Sequence, residues 1–266
     1  MNRGKLAGRL YLSTIGKDSQ EMAEKLGLGL EIAEFCTAVN LERDTALYRD
    51  AVLKKQARLD RFWFHAPFAE LSSAAVDPRV REVTALRYRQ AIQMATGLGI
   101  HRLVIHSGFI PQVYFPEWFV PQSVLFWQTF LAKAPENITI ALENVMDPGP
   151  EMLVEIVRQV NDPRLGLCLD VGHANCRISK TPPLHWIEPM LPFYTTSIFT
   201  TTPGIWIYMP SWAAAPYPWR RFWILCWRAA RRRPLQSKTK FAARRWYGCG
   251  NEAICPIRSA GRQLHK

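Results

Sequence analysis

The segment Leu165 to Asn175 reads Leu-Gly-Leu-Cys-Leu-Asp-Val-Gly-His-Ala-Asn, which places a carboxylate at the end of a short apolar run and an imidazole three residues later. Leu165, Leu167 and Leu169 alternate with Gly166, Cys168 and Asp170, so a strand here points the two sets to opposite faces. Asp170 then closes the strand on its small-residue face, and His173 follows a Gly that permits a tight turn. A carboxylate and a histidine fixed at one strand end suit a divalent-metal site or a general acid/base pair. Taken alone, the same residues also fit a capped turn with a satisfied polar pair. Three further residues close similar runs: His65 after Arg61–Phe64, His106 after Arg102–Ile105, and Glu143 after Ile138–Leu142.

These side chains need elements to hold them. Arg9 to Thr14 reads as a first strand, followed by Asp18 as N-cap, Glu21 completing a capping box, and Gly27 ending the helix. Leu28–Phe35 reads as a second strand and Glu42–Arg58 as a helix. Arg61–His65 is a third strand, and Pro78 opens a helix to about Leu98. Arg102–His106, Ile138–Glu143 and Leu165–Asp170 are the next strands, separated by a helix over Pro116–Lys133 and one that starts at Asp147-Pro148. That last helix carries Leu153, Ile156, Val157 and Val160 at helical spacing, and a sixth helix starts at Thr181-Pro182. Strict β-α alternation predicts a parallel sheet or a (β/α) barrel. The strand ends decide for the barrel, because polar residues at the C-terminal ends of several successive strands are its site pattern. A doubly wound sheet would concentrate its site at one crevice, and no Gly-rich phosphate loop is present.

The 266 residues suffice for one large α/β domain, and 48% hydrophobic with 21% charged residues is globular. Neither a signal peptide nor a transmembrane run is read. The six Cys show no C-x-x-C, which favours reduced thiols in a cytoplasmic protein. The net charge of +12 is localised: residues 1–193 hold 21 Lys/Arg and 21 Asp/Glu, while residues 194–266 hold 13 Lys/Arg and one acid, Glu252. Six of the ten Trp also lie after Tyr194. Two regions follow, a barrel portion over 1–193 and a basic Trp/Arg-rich tail over 194–266. A neutral body argues against nucleic acid as a partner.

Phe64-His65-Ala66-Pro67, Val104-Ile105-His106-Ser107-Gly108, Ala141-Leu142-Glu143-Asn144 and Leu169-Asp170-Val171-Gly172-His173-Ala174 together resemble the xylose isomerase-like TIM barrels, which include sugar phosphate isomerases/epimerases and endonuclease IV-like repair enzymes. The resemblance implies a (β/α)8 TIM barrel and a divalent metal held by Glu143 and Asp170. His173 would bind metal or substrate. His65 and His106 would join the metal or line the substrate pocket. It further implies a seventh strand with H-x-H, then D-x-H-x-x-x-G-x-G, and an eighth ending in a metal-binding glutamate. The chain has none of these, so six β/α units are recognisable and the barrel is incomplete.

The genetic code offers a test. Taking the third base of each codon with the first two of the next, Tyr194 to Thr200 permits H-V-H-I-H. Trp206–Ile207 must then give Asp, Met209–Pro210 Ala, and Trp212–Ala213 Gly, so Trp206 to Ala215 accommodates D-x-H-A-x-x-G-x-G. Leu235 to Thr239 permits T-I-E-N. The expectation is that residues from about 194 are read from a shifted frame and form no domain. The implied function is a metal-dependent sugar or sugar phosphate isomerase/epimerase, with Glu143 and His173 catalytic, His65 and His106 on the substrate, and Glu143, Asp170, His173 and His106 on the metal. Mn²⁺ or Mg²⁺ suits oxygen-rich ligands, and Zn²⁺ suits added histidines. The alternatives are an endonuclease IV-like zinc phosphodiesterase and an inactive truncated barrel. His101 and His185 read as surface residues and Cys36, Cys168 and Cys176 as packed or idle, while the alternation of Glu31 and Glu34 with Leu30 and Ile32 leaves a pocket role for one of them as the lesser alternative.

Overall fold

Apolar residues every second position make the strands, and apolar residues at helical spacing make the helices that cover them. The computed structural model describes residues 11–16, 18–175 and 178–198. In chain order it has β1 (Tyr11–Ser13), α1 (Ser19–Leu26), β2 (Gly29–Ile32), a 3-10 turn (Val39–Leu41), α2 (Thr45–Gln56), β3 (Phe62–His65), α3 (Pro78–Gly97), β4 (Arg102–His106), α4 (Pro116–Leu131), β5 (Thr139–Glu143), α5 (Glu151–Val160), β6 (Leu165–Asp170), the single turn α6 (Val171–Ala174), α7 (Pro183–Met190), a second 3-10 turn (Leu191–Phe193) and β7 (Tyr194–Ile198). All seven strands are parallel and lie in sequence order, β1 to β7. This is a (β/α) barrel sheet. Among the described residues no strand joins β7 to β1, so the barrel sheet is open over this portion. It carries one strand beyond the six expected, across the Tyr194 boundary.

The two phases of each strand serve two different cores. Leu12, Leu30, Ile32, Phe64, Leu103, Ile105, Ile140, Leu142, Leu165, Leu167 and Leu169 pack under the helices. The opposite phase forms a separate interior cluster of Tyr11, Trp63, Val104, Ala141 and Cys168. Tyr11 meets Trp63 edge-on at 6.4 Å between ring centroids, with β2 running between their strands. Gly29 makes that contact feasible, since a Cβ there would collide with the Tyr11 ring and lie 2.8 Å from the Arg61 carbonyl. Glu31 shares this inward phase: it pairs in register with Trp63 and is fully buried.

Some boundaries differ from the sequence reading. Arg9 and Leu10, expected in the first strand, lie outside the described residues, as do Cys176 and the tail beyond Ile198. The capping box at Asp18 is not formed: its backbone has φ −97° and ψ 2°, outside the extended region, and its side chain makes no cap hydrogen bond. Gly27 does end α1, with φ +65°. The helix expected from Glu42 starts at Thr45, after Asp44 in a left-handed conformation with φ +54°. Asp77 caps α3, its carboxylate accepting from the Arg79 amide at 2.8 Å. Asp147 does not open α5, which begins at Glu151. Its carboxylate is engaged elsewhere, as described below.

Candidate metal centre

β3, β4, β5 and β6 deliver His65, His106, Glu143 and Asp170 to one end of the sheet, because each residue is the last of its strand and all take the inward phase. Register aligns two of them directly, His106 with Glu143 across β4 and β5. Glu143 is at the centre and has no solvent exposure. Its Oε2 lies 3.8 Å from His65 Nε2 and 3.7 Å from His106 Nε2, while its Oε1 lies 3.4 Å from His173 Nδ1. His173 Nδ1 is also 3.6 Å from Asp170 Oδ2.

Backbone groups fix the orientations. His65 Nδ1 is 2.7 Å from the Ala66 carbonyl, which can only accept, so Nδ1 donates there and Nε2 is the ring atom that faces Glu143. The His173 amide donates to Asp170 Oδ1 at 2.9 Å across α6, so the capped turn and the strand-end pair are the same feature. His173 Nδ1 is 3.0 Å from the Asn144 carbonyl. Phe68 stacks on His106 at 4.6 Å between centroids and meets His65 edge-on at 5.8 Å.

Two residues of this neighbourhood have no site role in the sequence reading. Asn144 stitches β5 to β6: its Nδ2 donates to the Asp170 carbonyl at 3.0 Å, and its Oδ1 accepts from the Asp170 amide at 2.7 Å. Asp147 is buried, and its Oδ2 accepts from Ser107 Oγ at 2.8 Å and the Val145 amide at 3.0 Å. Burial pushes the Asp147 carboxyl up to about 6, against the opposing pull of those hydrogen bonds and of nearby His173. Asn144 follows a strand-end acid, which could have flagged it; Asp147 carries no such signal. Glu34, by contrast, is taken by Thr14 at 2.6 Å and Lys55 at 2.8 Å. His101 and His185 are exposed, Cys168 is buried and Cys36 is partly buried.

The donors form two groups, His65–His106–Glu143 and Glu143–Asp170–His173, and within each the ligating atoms lie within 4.8 Å of one another. Two ligands about 2.1 Å from a shared ion sit about 3.4 Å apart in tetrahedral geometry. The observed spacing and the N/O donor set therefore fit a divalent cation.

Residues 22–191 match the family described as xylose isomerase-like TIM barrel. The chain belongs to that family. Among curated proteins, it is 36% identical over 133 residues to the uncharacterized protein MJ1311 of Methanocaldococcus jannaschii, a match spanning 42% of this chain and 41% of that protein. Among solved structures it is similar to a D-tagatose 3-epimerase-like protein, with TM-score 0.66 and 20% identity over 87% of this chain and 90% of the other. It is also similar to a Thermus thermophilus protein soaked with ZnCl₂, with TM-score 0.55 and 25% identity over 75% and 80% of the two chains. For a xylose isomerase-like barrel, the inward strand ends at this face are where a site belongs.

Proposed function

We propose that this chain derives from a metal-dependent sugar or sugar phosphate isomerase/epimerase, acting by proton transfer at a carbon beside a carbonyl. The observation that carries the reading is the fully buried Glu143, whose two oxygens are divided between His65 and His106 on one side and His173 on the other. A buried carboxylate is costly without such company. The likeness to a D-tagatose 3-epimerase-like protein and to a zinc-soaked relative supports it.

Glu143, Asp170, His106 and His173 would hold a divalent ion: Mn²⁺ or Mg²⁺ on the carboxylates, or Zn²⁺ where the histidines join. When bound, such an ion supplies Lewis-acid polarisation of a carbonyl. Glu143 provides one carboxylate of the pair that a proton shuttle across a sugar carbon requires. His65 and His106 line the substrate side, and Phe68 shields the outer face of His106 from water. The resemblance assigns the second carboxylate of the pair to an eighth-strand glutamate motif, which the written sequence lacks. On this reading the missing motif would impair turnover by this chain, with the inactive, truncated barrel as the limiting case.

The tail belongs to the same proposal. β7 lies at Tyr194–Ile198, and the stretch Thr195 to Thr200, over which the shifted frame permits H-V-H-I-H, overlaps it. Peptide mass data that match the written sequence across 194–266, with an intact gene sequence, would sink the shifted-frame reading.

A zinc phosphodiesterase is the second reading, favoured by two histidines within 3.8 Å of Glu143 Oε2. The balance of 21 cations and 21 acids over residues 1–193 opposes DNA docking. The deciding experiment is metal analysis of the full chain with ketohexose epimerisation and abasic-DNA cleavage assays under Mn²⁺, Mg²⁺ and Zn²⁺. Glu143→Gln should lower metal affinity by about 100-fold or more, since the charged ligand is lost within an otherwise unchanged shell. Equal metal retention by wild type and Glu143→Gln overturns the centre. DNA cleavage promotes the second reading, and metal binding without turnover identifies the inactive barrel.

A further inference from the structure

Asp147 is a buried acid, 2% exposed, that the proposed centre leaves without a task. Its Oδ2 bridges two loops separated by 40 residues: Ser107 Oγ donates to it at 2.8 Å, and the Val145 amide at 3.0 Å. Its Oδ1 is buried and makes no hydrogen bond. Ser107 directly follows His106, and Val145 lies two residues after Glu143. The Ser107 amide also donates to the Glu143 carbonyl at 2.9 Å, and Ser107 Oγ accepts from the Phe109 amide at 3.3 Å. Beyond Ser107, Gly108 turns the chain with φ +74°, close enough to the Leu71 carbonyl that a Cβ would lie 2.9 Å from it. The loop behind His106 is therefore tightly confined, and a single carboxylate fastens it to the loop behind Glu143.

A loop closure that served stability alone would gain little from a buried carboxylate with one idle oxygen, because its desolvation offsets its hydrogen bonds. What the bridge does achieve is a fixed offset between the ends of β4 and β5. We propose that Asp147 is a positioning residue for the metal centre: it pins Ser107 to the β5 loop and so holds His106 Nε2 and Glu143 Oε2 at ligand spacing. This inference rests on the metal-centre reading above. It adds to it a residue that contacts neither metal nor substrate.

The test uses the full chain and chelator competition with Zn²⁺ and Mn²⁺, alongside far-UV circular dichroism and urea midpoints. Asp147→Ala and Ser107→Ala should each weaken metal binding by about 10- to 100-fold, the range for residues that orient ligands. The double variant should be no weaker than Asp147→Ala alone, because both remove one bridge. Asp147→Asn keeps an acceptor oxygen in place and should restore affinity to within about 3-fold of wild type. Should Asp147→Ala fail to fold, Ser107→Ala and Asp147→Asn carry the same comparison. Wild-type affinity in the Ala variants, independent losses in the double variant, or an Asn variant as weak as Ala each overturn the pin. A wild-type chain that binds neither metal overturns the centre and the pin together, whereas a binding wild type with unaffected Ala variants overturns the pin alone.

Discussion

At the scale of the residue, Asp147 also sets a pH dependence whose sign can be worked out. Its carboxyl is pushed up to about 6 in the folded chain from an ordinary 3.8. The folded chain thus holds the proton more tightly than the unfolded one, and the associated stability is fully present below about 3.8 and lost as pH rises toward about 6. Asp147→Asn, which never ionises, should gain on wild type over that window, by on the order of 2–3 kcal/mol at pH 7. Urea midpoints at pH 4 and pH 7 measure it; a gap between the two proteins that stays constant with pH would refute the assignment. Strand phase makes His65, His106, Glu143 and Asp170 legible in the sequence, since each ends an apolar run on its inward side. Asp147 is misleading there because Asp147-Pro148 has the composition of a helix start. Its real partner, Ser107, stands 40 residues away, and no local pattern encodes that.

The elements are legible to the extent that local chemistry decides them. β6 runs over Leu165–Asp170 and β4 over Arg102–His106 as their alternation dictates, and Pro78 and Gly27 mark the start of α3 and the end of α1. The helix caps show where such reading fails. Asp77 has extended backbone, φ −70° and ψ 121°, and its side chain reaches the Arg79 amide; Asp18 is not extended and reaches no amide. Both have the residue type of a cap, and only the first has the conformation for one. Asp77→Ala should therefore cost about 1 kcal/mol, while Asp18→Ala, which removes a buried oxygen without a hydrogen-bond partner, should cost less than about 0.5 kcal/mol or stabilise. Thermal or urea unfolding of the two variants makes the comparison, and equal losses would contradict it.

For the whole molecule, the described residues form an open parallel sheet whose outer strands, β1 and β7, have no closing partner among them. Exposed strand edges promote association. No helix among the described residues is long and apolar enough to cross a membrane. A cation that binds only the folded chain should stabilise it through mass action, by roughly 2.7 kcal/mol at a hundred times its Kd. Melting temperature followed against Zn²⁺ or Mn²⁺ concentration, with Glu143→Gln as control, reads this directly. A Tm that does not move, or that moves equally in the control, counts against the centre. If the proposed shifted-frame reading holds, restoring the frame should raise Tm further and suppress aggregation, because a closing strand would then be available. The fold class is readable because six repeats of one pattern reinforce each other. The seventh strand is not, since Tyr194–Ile198 carries mixed polar residues without clear alternation, and its pairing with β6 is irregular between Leu167 and Cys168.

The donors of the proposed centre all come from β3 through α6, four consecutive neighbouring strands and the turn after them, between Phe62 and Ala174. On the proposed shifted-frame reading, a lesion that enters the gene at about Tyr194 would leave every one of these residues in place. Cation capture and turnover would then have separate fates: the first is encoded early and locally, and the second needs the far end of the chain. A protein damaged in this way would draw metal from the labile pool of its cell and return no product for it. The selective cost of such a chain would lie in what it sequesters as well as in what it fails to convert.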